Sequence, residues 1–331
     1  MKRTTIKDIA RHLTVSVSTV SRALSGDKNI RSETREQVLD AAQKLGYKPN
    51  PVALNLKTGR TNTIGVIVPE MITPYASQVI SGIQEELYNK GIKVIIAESS
   101  ESWEEERKNL ATMERFMVDG IIVSLCDYQQ NLDEYQRLQR EGMPMVFFDR
   151  IPHNMNVSQV VVDDYIKSFF MVEHLIRLGY KNIVHIQGSD ALYNTQERAK
   201  GYTDAMNKFH LTPKNIKPKG LTFQDGALTV DKLLSGGDDF DAIFAFTDTL
   251  AIGALNRLRE CGKSVPQDVA VASFSGTVLA TIVNPTLTSV EPPLHQMGVE
   301  SAKLLLEKIE SEDSPIRSIV LDAEIVLRES I

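Results

Sequence analysis

Apolar residues recur at helical spacing through the first 45 or so positions, and then the rhythm changes. IKDIARHL (6–13) puts Ile6, Ile9, Ala10 and Leu13 on one stripe, with Thr4 or Thr5 as its cap. The break Thr14-Val15-Ser16 separates it from VSTVSRAL (17–24), where Val17, Val20, Ala23 and Leu24 form a second stripe. After a polar loop, SETREQVLDAAQKLGY opens at Ser32 with Glu33 and Glu36 favouring the start of a helix dipole. Its apolar face reads as Val38, Leu39, Ala42 and Leu45, and Gly46 ends it. Three short helices are predicted.

From residue 62 buried-looking runs alternate with amphipathic stretches. The runs are 64–68, 93–97, 120–124, 145–148, 159–162, 182–186, 242–246 and 269–274; helical patterns include 77–90, 104–117, 165–178, 196–209, 225–235 and 248–261. This order predicts parallel sheets covered on both faces. About ten strands exceed one comfortable open sheet, so two α/β lobes are expected. A last helix (295–310) and the strand-like SIVLDAEIVL finish the chain.

Composition adds little until charge is divided. The chain has 331 residues, 42% of them hydrophobic and 24% charged, as in an ordinary globular protein. Residues 1–60 carry 12 Lys+Arg against 5 Asp+Glu, while the rest carries 25 against 38. A basic module on an acidic body points to a polyanion at one end only. No run approaches the roughly 20 apolar residues of a membrane span, and the start lacks the apolar core of a signal peptide, so a cytoplasmic protein is expected. Cys126 and Cys261 read as two reduced thiols, and the six scattered histidines offer no metal ligand set.

Two helices joined by a three-residue turn, with small polar residues exposed on the second, match a helix-turn-helix. Arg22 can make paired hydrogen bonds to guanine; Ser16, Ser21 and Thr34 suit phosphates. The whole stretch TIKDIARHLTVSVSTVSRALSGDKNIRSETREQVLDAAQKLGYKPN resembles the DNA-binding headpiece of the lactose-repressor/galactose-repressor (LacI/GalR) family, most specifically in TVSRAL, SETREQV and LGYKPN. The resemblance implies base reading by Val17, Ser18 and Arg22, with further DNA contacts from Thr5, Ser16, Ser21, Asn29 and Thr34. One departure is Leu13-Thr14, where the family usually has Ala-Gly; Thr14 must take a turn that glycine takes more easily. PNPVALNLKTGR then carries the family's hinge. Asn50 can cap it and Pro51 suits a first helical position. The resemblance implies that this helix, too short to persist alone, folds when two copies meet in the minor groove. Ala53 would sit near the groove floor and Leu56 would wedge between base pairs. Leu54 stands where Arg or Gln is common.

The resemblance continues through VDGIIV, FDR, VVVDD, ERAKGY, FAFTDTLAIGAL, VPQDVAVASF and PTLTSVEPP, and implies a periplasmic-binding-protein type I fold with two Rossmann-like lobes around a cleft. Carried over by motif, the effector contacts are Tyr75, Asp149, Asp163, Arg198, Phe223, Thr247, Asp248 and Ser275. Plain structural readings stand beside these: the three aspartates can cap helices, and Tyr75 and Phe223 can be core or rim. Ser275 replaces an Asp common in the family, so the ligand's identity does not carry over; carboxylates plus aromatics favour a sugar or sugar derivative. The expected domains are a headpiece (1–49), a hinge (50–60) and an effector-binding and dimerisation domain (61–331). Its lobes are about 61–160 with 290–318, and 161–289 with 319–331.

A solute-binding protein for a transporter would share the larger fold, but a secretion signal is missing and the basic headpiece is unexplained. An enzyme would need a nucleophile elbow, a phosphate loop or a metal motif, none of which is visible. No cofactor is implied. The expected partners are a pseudo-palindromic duplex operator, a small-molecule effector that controls a regulator, most simply a repressor, of carbohydrate metabolism, and a second copy of the chain. LRESI is followed by no leucine heptad, so a dimer rather than a four-subunit assembly is expected. Leu56→Ala is expected to weaken operator binding and bending greatly while leaving effector affinity nearly unchanged; equal operator affinity in a gel-shift titration would reject the hinge assignment.

Overall fold

The three amphipathic segments at the start are helices in the computed structural model, which describes residues 4–47, 59–127, 129–237, 239–311 and 313–331. They are α1 (Ile6–Leu13), α2 (Val17–Leu24) and α3 (Ser32–Lys44). Thr5 starts α1, its backbone N–H and hydroxyl both donating to the Asp8 carboxylate at 2.9 and 2.7 Å. Ser16 starts α2 by accepting the Thr19 N–H at 3.0 Å. Their core is Ile9, Ala10, Val20, Ala23, Val38, Ala41 and Ala42, with Leu24 and Leu45 packed against it. On α3 the inward face is therefore Val38, Ala41, Ala42 and Leu45, the i, i+3, i+4, i+7 set. Leu39, expected inside, is one position off that stripe and is 49% exposed. Gly46, at φ +63°, ends α3 and lets the Tyr47 N–H reach the Ala42 carbonyl at 2.8 Å.

The hinge positions Asn50, Ala53 and Leu56 lie outside the described residues. Two compact units divide between Thr61 and Asn62.

The second unit holds two six-stranded sheets. The first contains β1 (Thr63–Val68), β2 (Lys93–Glu98), β3 (Gly120–Val123), β4 (Met145–Phe148), β5 (Ser158–Val162) and β11 (Ser318–Leu321), in the order β11-β5-β4-β3-β1-β2. All its pairings are parallel. Both faces of β1 are covered, which is why TIGVIV shows no polar alternation. Ile64, Val66 and Val68 join the core of α4 (Pro74–Tyr88) and α12 (Leu294–Glu310). Ile67 joins that of α5 (Trp103–Arg115) and α6 (Leu132–Arg140).

The second sheet runs β12-β10-β9-β8-β6-β7, from β6 (Ile183–Ile186), β7 (Lys214–Ile216), β8 (Ala242–Ala245), β9 (Ala270–Phe274), β10 (Thr288–Glu291) and β12 (Glu324–Val326). Its helices are α7 (Asp164–Arg177), α8 (Tyr193–Lys208), α9 (Phe223–Ser235), α10 (Asp248–Glu260) and the short α11 (Leu279–Ile282). Ala242 and Phe244 face the core of α7 and α8, Ile243 and Ala245 that of α9 and α10. The α9–α10 contact is close because residue 253 is glycine: a Cβ there would meet the Phe223 carbonyl oxygen at 1.9 Å.

The chain passes between the sheets three times, after Val162, after Glu291 and after Leu321. The lobe limits drawn from sequence change accordingly. SIVLDAEIVL is two strands: Ser318–Leu321 runs parallel to β5 in the first lobe, and Glu324–Val326 runs antiparallel to β10 in the second. Among the described residues, no helix is long and apolar enough to cross a membrane, and no group of three or more His, Cys, Asp or Glu could hold a metal ion.

The α1–α2 turn carries the family departure in its backbone: Thr14 sits at φ +56°, ψ +38°. A β-branched residue is unfavourable in that region by about 1–2 kcal/mol, offset in part by the entropy glycine would lose. Thr14→Gly is expected to raise stability by about 1 kcal/mol, read as slower hydrogen exchange of α1 and α2 amides in the full chain. Faster exchange would show that the turn is not strained.

Candidate functional site

The exposed face of α2 is the first surface of interest. Burying Val20 and Ala23 turns Val17, Ser18 and Arg22 outward, with Ser21 half-buried beside them. These positions are i, i+1, i+4 and i+5, one side of a helix. Val17 is 38% exposed, so it belongs to this face rather than to the inward stripe on which its spacing also placed it. Ser16 is committed locally: besides its cap, its oxygen lies 2.7 Å from the Ser18 hydroxyl and 2.8 Å from that of Thr19. Asn29 is held by Asp27, which accepts from its backbone and side-chain nitrogens at 2.9 and 3.0 Å. Thr34 is half-buried in the first turn of α3.

The second site is a cavity of about 480 Å³ between the lobes, in the range of small-molecule sites. Loops at the carboxyl ends of β1, β2, β4, β8 and β9 line it, through Glu70, Glu101, Asp149, Phe246 and Ser275 among others. Seven of the eight expected effector residues line it: Tyr75, Asp149, Arg198, Phe223, Thr247, Asp248 and Ser275. Asp163 does not. It is exposed and caps α7, accepting the Ile166 N–H at 2.9 Å, because the crossing from β5 makes it the last non-helical residue. Its neighbour Asp164 is the inward carboxylate.

Asp164 binds Arg198. The Arg198 Nε donates to Asp164 at 2.7 Å and Nη1 donates to the Phe246 carbonyl at 2.8 Å. The guanidinium carbon stands 4.5 Å from the centre of the Phe246 ring and 3.7 Å from that of Phe274. Arg198 is only 2% exposed. Burial pushes the Asp164 carboxyl up to about 7, against the pull of Arg198 beside it.

Asp248 is also occupied. One of its oxygens accepts from the Ser273 and Ser289 hydroxyls at 2.6 and 3.0 Å, the other from the backbone N–H and hydroxyl of Thr277, each at 2.8 Å. Thr247 caps α10 through the Leu250 N–H, and the Ser275 hydroxyl donates to the Phe274 carbonyl. These three residues shape the wall; their own polar atoms are largely spent.

Two buried atoms of the lining are left over. The Asn194 side-chain oxygen has no hydrogen-bond partner among the described residues, and the Tyr75 hydroxyl has none of ordinary geometry, although it stands close to the Asp149 carboxylate. Burial first, then the charge of Asp149, holds the Tyr75 phenol well above its ordinary value, so it stays a donor. Asn194 gives its amide hydrogen to Asp149 at 3.2 Å. Asp149 itself sits at φ +56°, a left-handed conformation that strains a non-glycine residue. Sequence reasoning misses Asn194, though it lies one helical turn before Arg198 on α8 and so shares its face. It misses Arg150 and Glu101 too; Arg150 Nη1 reaches both Glu101 oxygens, at 3.0 and 2.7 Å.

The lacI family of bacterial regulatory proteins matches residues 5–50, and a periplasmic binding protein-like domain matches residues 172–331. The catabolite control protein A of Priestia megaterium is 31% identical over 329 residues, covering 98% of each chain. Among solved structures, a transcriptional regulator CelR–cellobiose complex is 28% identical, with a TM-score of 0.74 over 99% of this chain and 100% of that one. A lac repressor dimer bound to operator and an anti-inducer shares the fold, with a TM-score of 0.88 and 22% identity over 99% of each chain.

The adjacent aspartates make a controlled comparison. Asp164→Asn leaves a buried guanidinium without its counter-charge and is expected to cost about 3–5 kcal/mol of stability in urea unfolding. Asp163→Ala removes only a cap, worth about 1 kcal/mol. Equal losses would contradict the assignment of the pair to Asp164.

Proposed function

The chain belongs to the lacI family of bacterial regulatory proteins, and from that premise we propose that it is a repressor of carbohydrate-use genes whose grip on DNA is set by a sugar or sugar derivative in the interlobe cavity. In this reading Val17, Ser18 and Arg22 meet base edges in the major groove, where an arginine forks onto guanine. Ser21 and Thr34 position the headpiece on phosphates. Asn50, Ala53 and Leu56, outside the described residues, are the candidates for minor-groove contacts. Two copies bind a pseudo-palindromic operator, which places the working protein on the cytoplasmic nucleoid.

The observation that carries the effector half is a pair of buried polar atoms on the lining of the cavity: Asn194 Oδ1, which has no partner among the described residues, and Tyr75 Oη, which has no hydrogen bond of ordinary geometry and only the Asp149 carboxylate near it. Buried polar groups are paired in native proteins as a rule, and a hydroxyl-bearing ligand supplies both an acceptor for the phenol and a donor for the amide oxygen. Asp149 accepts a further hydroxyl, and the half-exposed ring of Phe223 offers an apolar face to the ring of a sugar. Arg198 acts as a clamp for the wall, since Asp164 and a carbonyl already hold two of its three nitrogens.

The test is in two parts on the purified full chain. Selection from a random duplex library is expected to enrich a pseudo-palindrome, and Arg22→Ala is expected to cost about 1–3 kcal/mol of binding to it. A thermal-shift screen of free sugars should find a ligand that also changes operator affinity, with about 2.7 kcal/mol of added stability at 100 times its dissociation constant. No enriched sequence at low ionic strength would overturn the DNA half, and a sugar that stabilises without moving operator affinity would overturn the coupling.

A further inference from the structure

The balance of charge around the cavity restricts what can enter it, on the reading that the cavity is the effector site. Four carboxylates line it, Glu70, Glu101, Asp149 and Asp248, against two guanidinium groups, Arg150 and Arg198. Neither cation is free. Arg198 is paired with Asp164 at 2.7 Å and Arg150 with Glu101 at 2.7 Å. Asp164 adds a fifth acidic group directly behind the wall.

Helix N-termini are the other common source of anion affinity, through unpaired N–H groups and the helix dipole. Three helices begin on the cavity wall, at Pro74, Phe223 and Asp248. Two of them, at Phe223 and Asp248, carry their own side-chain cap. The helix at Pro74 has no side-chain cap, but it opens on a proline, which has no N–H, and Glu70, accepting the Thr73 N–H at 3.0 Å, sets a carboxylate beside it. Thr222 accepts the Asp225 N–H at 3.2 Å while Asp225 takes the Thr222 N–H at 3.0 Å. Thr247 accepts the Leu250 N–H at 3.3 Å, and Asp248 adds a negative charge to the first turn of α10. A fourth helix, α8, has no side-chain cap at Leu192. Its first turn nevertheless presents Asn194, whose amide is on the Asp149 carboxylate.

We propose that the effector carries no anionic group: it is an uncharged polyhydroxylated molecule, a free sugar or a nucleoside, and phosphorylated or carboxylated relatives of it are rejected. The buried groups most open to a ligand are a phenol hydroxyl, an amide oxygen and the Asp149 carboxylate, two acceptors and one donor, while the nitrogens left over on Arg150 and Arg198 belong to guanidinium groups already charge-paired. A hydroxyl satisfies all three. A phosphate at neutral pH brings acceptors where donors are wanted and lies beside the Asp149 carboxylate, whose nearest cation, Arg150 at 4.0 Å, is shared with Glu101. Glu101 and Asp149 are the residues that exclude it, Glu101 by occupying Arg150 and Asp149 by repulsion.

The experiment is a thermal-shift and calorimetric comparison of matched pairs at low ionic strength: ribose with ribose 5-phosphate, glucose with glucose 6-phosphate and gluconate, adenosine with its 5′-monophosphate. Cellobiose is included as an uncharged disaccharide. The expected result is binding by an uncharged probe, with its charged counterpart at least about tenfold weaker. Glu101→Gln should free Arg150 and narrow that gap by about tenfold; Asp149→Asn should narrow it as well, so the inference does not rest on the folding of one variant. A charged member binding as tightly as its parent overturns this inference and leaves the proposed function standing. A gap unchanged in both folded variants overturns it too, since the named carboxylates would not be its cause. If no probe binds, the effector reading of the cavity falls, and the inference with it.

Discussion

A guanidinium group can be sealed from water only if its charge and its donors are taken over by the protein, and the penalty for failing is several kcal/mol. Arg198 is sealed in this way, and much of the second lobe is arranged around it. Its partner Asp164 comes from the first turn of α7, immediately after the chain crosses from the first lobe. Its carbonyl partner and its two aromatic faces come from the carboxyl ends of β8 and β9. Four elements meet at one cation. A second knot lies beside it, where the Asp248 carboxylate gathers Ser273 from β9, Ser289 from β10 and Thr277 from the loop between them. Between them, these two satisfied charges hold the wall of the cavity in shape whether or not it is filled.

The first lobe contributes differently. Its wall turns on two left-handed residues at φ +56°: Glu101 occupies a region that L residues other than Asn and Asp seldom adopt, and Asp149 is of the type that tolerates it better. Strain of this kind costs about 1–3 kcal/mol and persists only where the surroundings impose it. Here it aims two carboxylates at the same space, one onto Arg150 and one toward Tyr75 and Asn194. The rigid wall and the strained wall face each other across the cleft.

Much of this is legible in the residues. Uninterrupted apolar runs such as MVFF and AIFAF announce strands buried on both sides, and their number announces two sheets. The headpiece helices can be placed to within a residue or so, with Thr4 or Thr5 ahead of the first, but that Ser16 caps the second and is committed locally is visible only once its hydroxyl meets the Thr19 N–H. What cannot be read is the choice between neighbours. Asp163 and Asp164 are chemically identical, and only the point where the backbone turns helical decides which one caps and which one faces Arg198. The same ambiguity arises on α3, where Leu39 is apolar but stands one position off the inward stripe and Ala41 completes it instead. SIVLDAEIVL hides a change of lobe because two buried residues, Leu321 and Ala323, keep the apolar pattern going through the crossing. Asn194 and Arg150 give no compositional signal; their roles come from contacts across tens of residues of chain.

The three crossings between the lobes are not equivalent in stiffness. Those after Val162 and Leu321 pass through ordinary residues, Asp163 in one and Asp322-Ala323 in the other, whereas the one after Glu291 is Pro292-Pro293. Pyrrolidine rings lock φ, so that strap can bend about ψ alone. The other two crossings keep both backbone torsions but are tied by side chains: Asp163 caps α7, Asp322 pairs with Lys167 at 2.6 Å, and Ala323 is buried. Any change in the angle between the lobes falls on these three short crossings, because each β ladder lies wholly in one sheet.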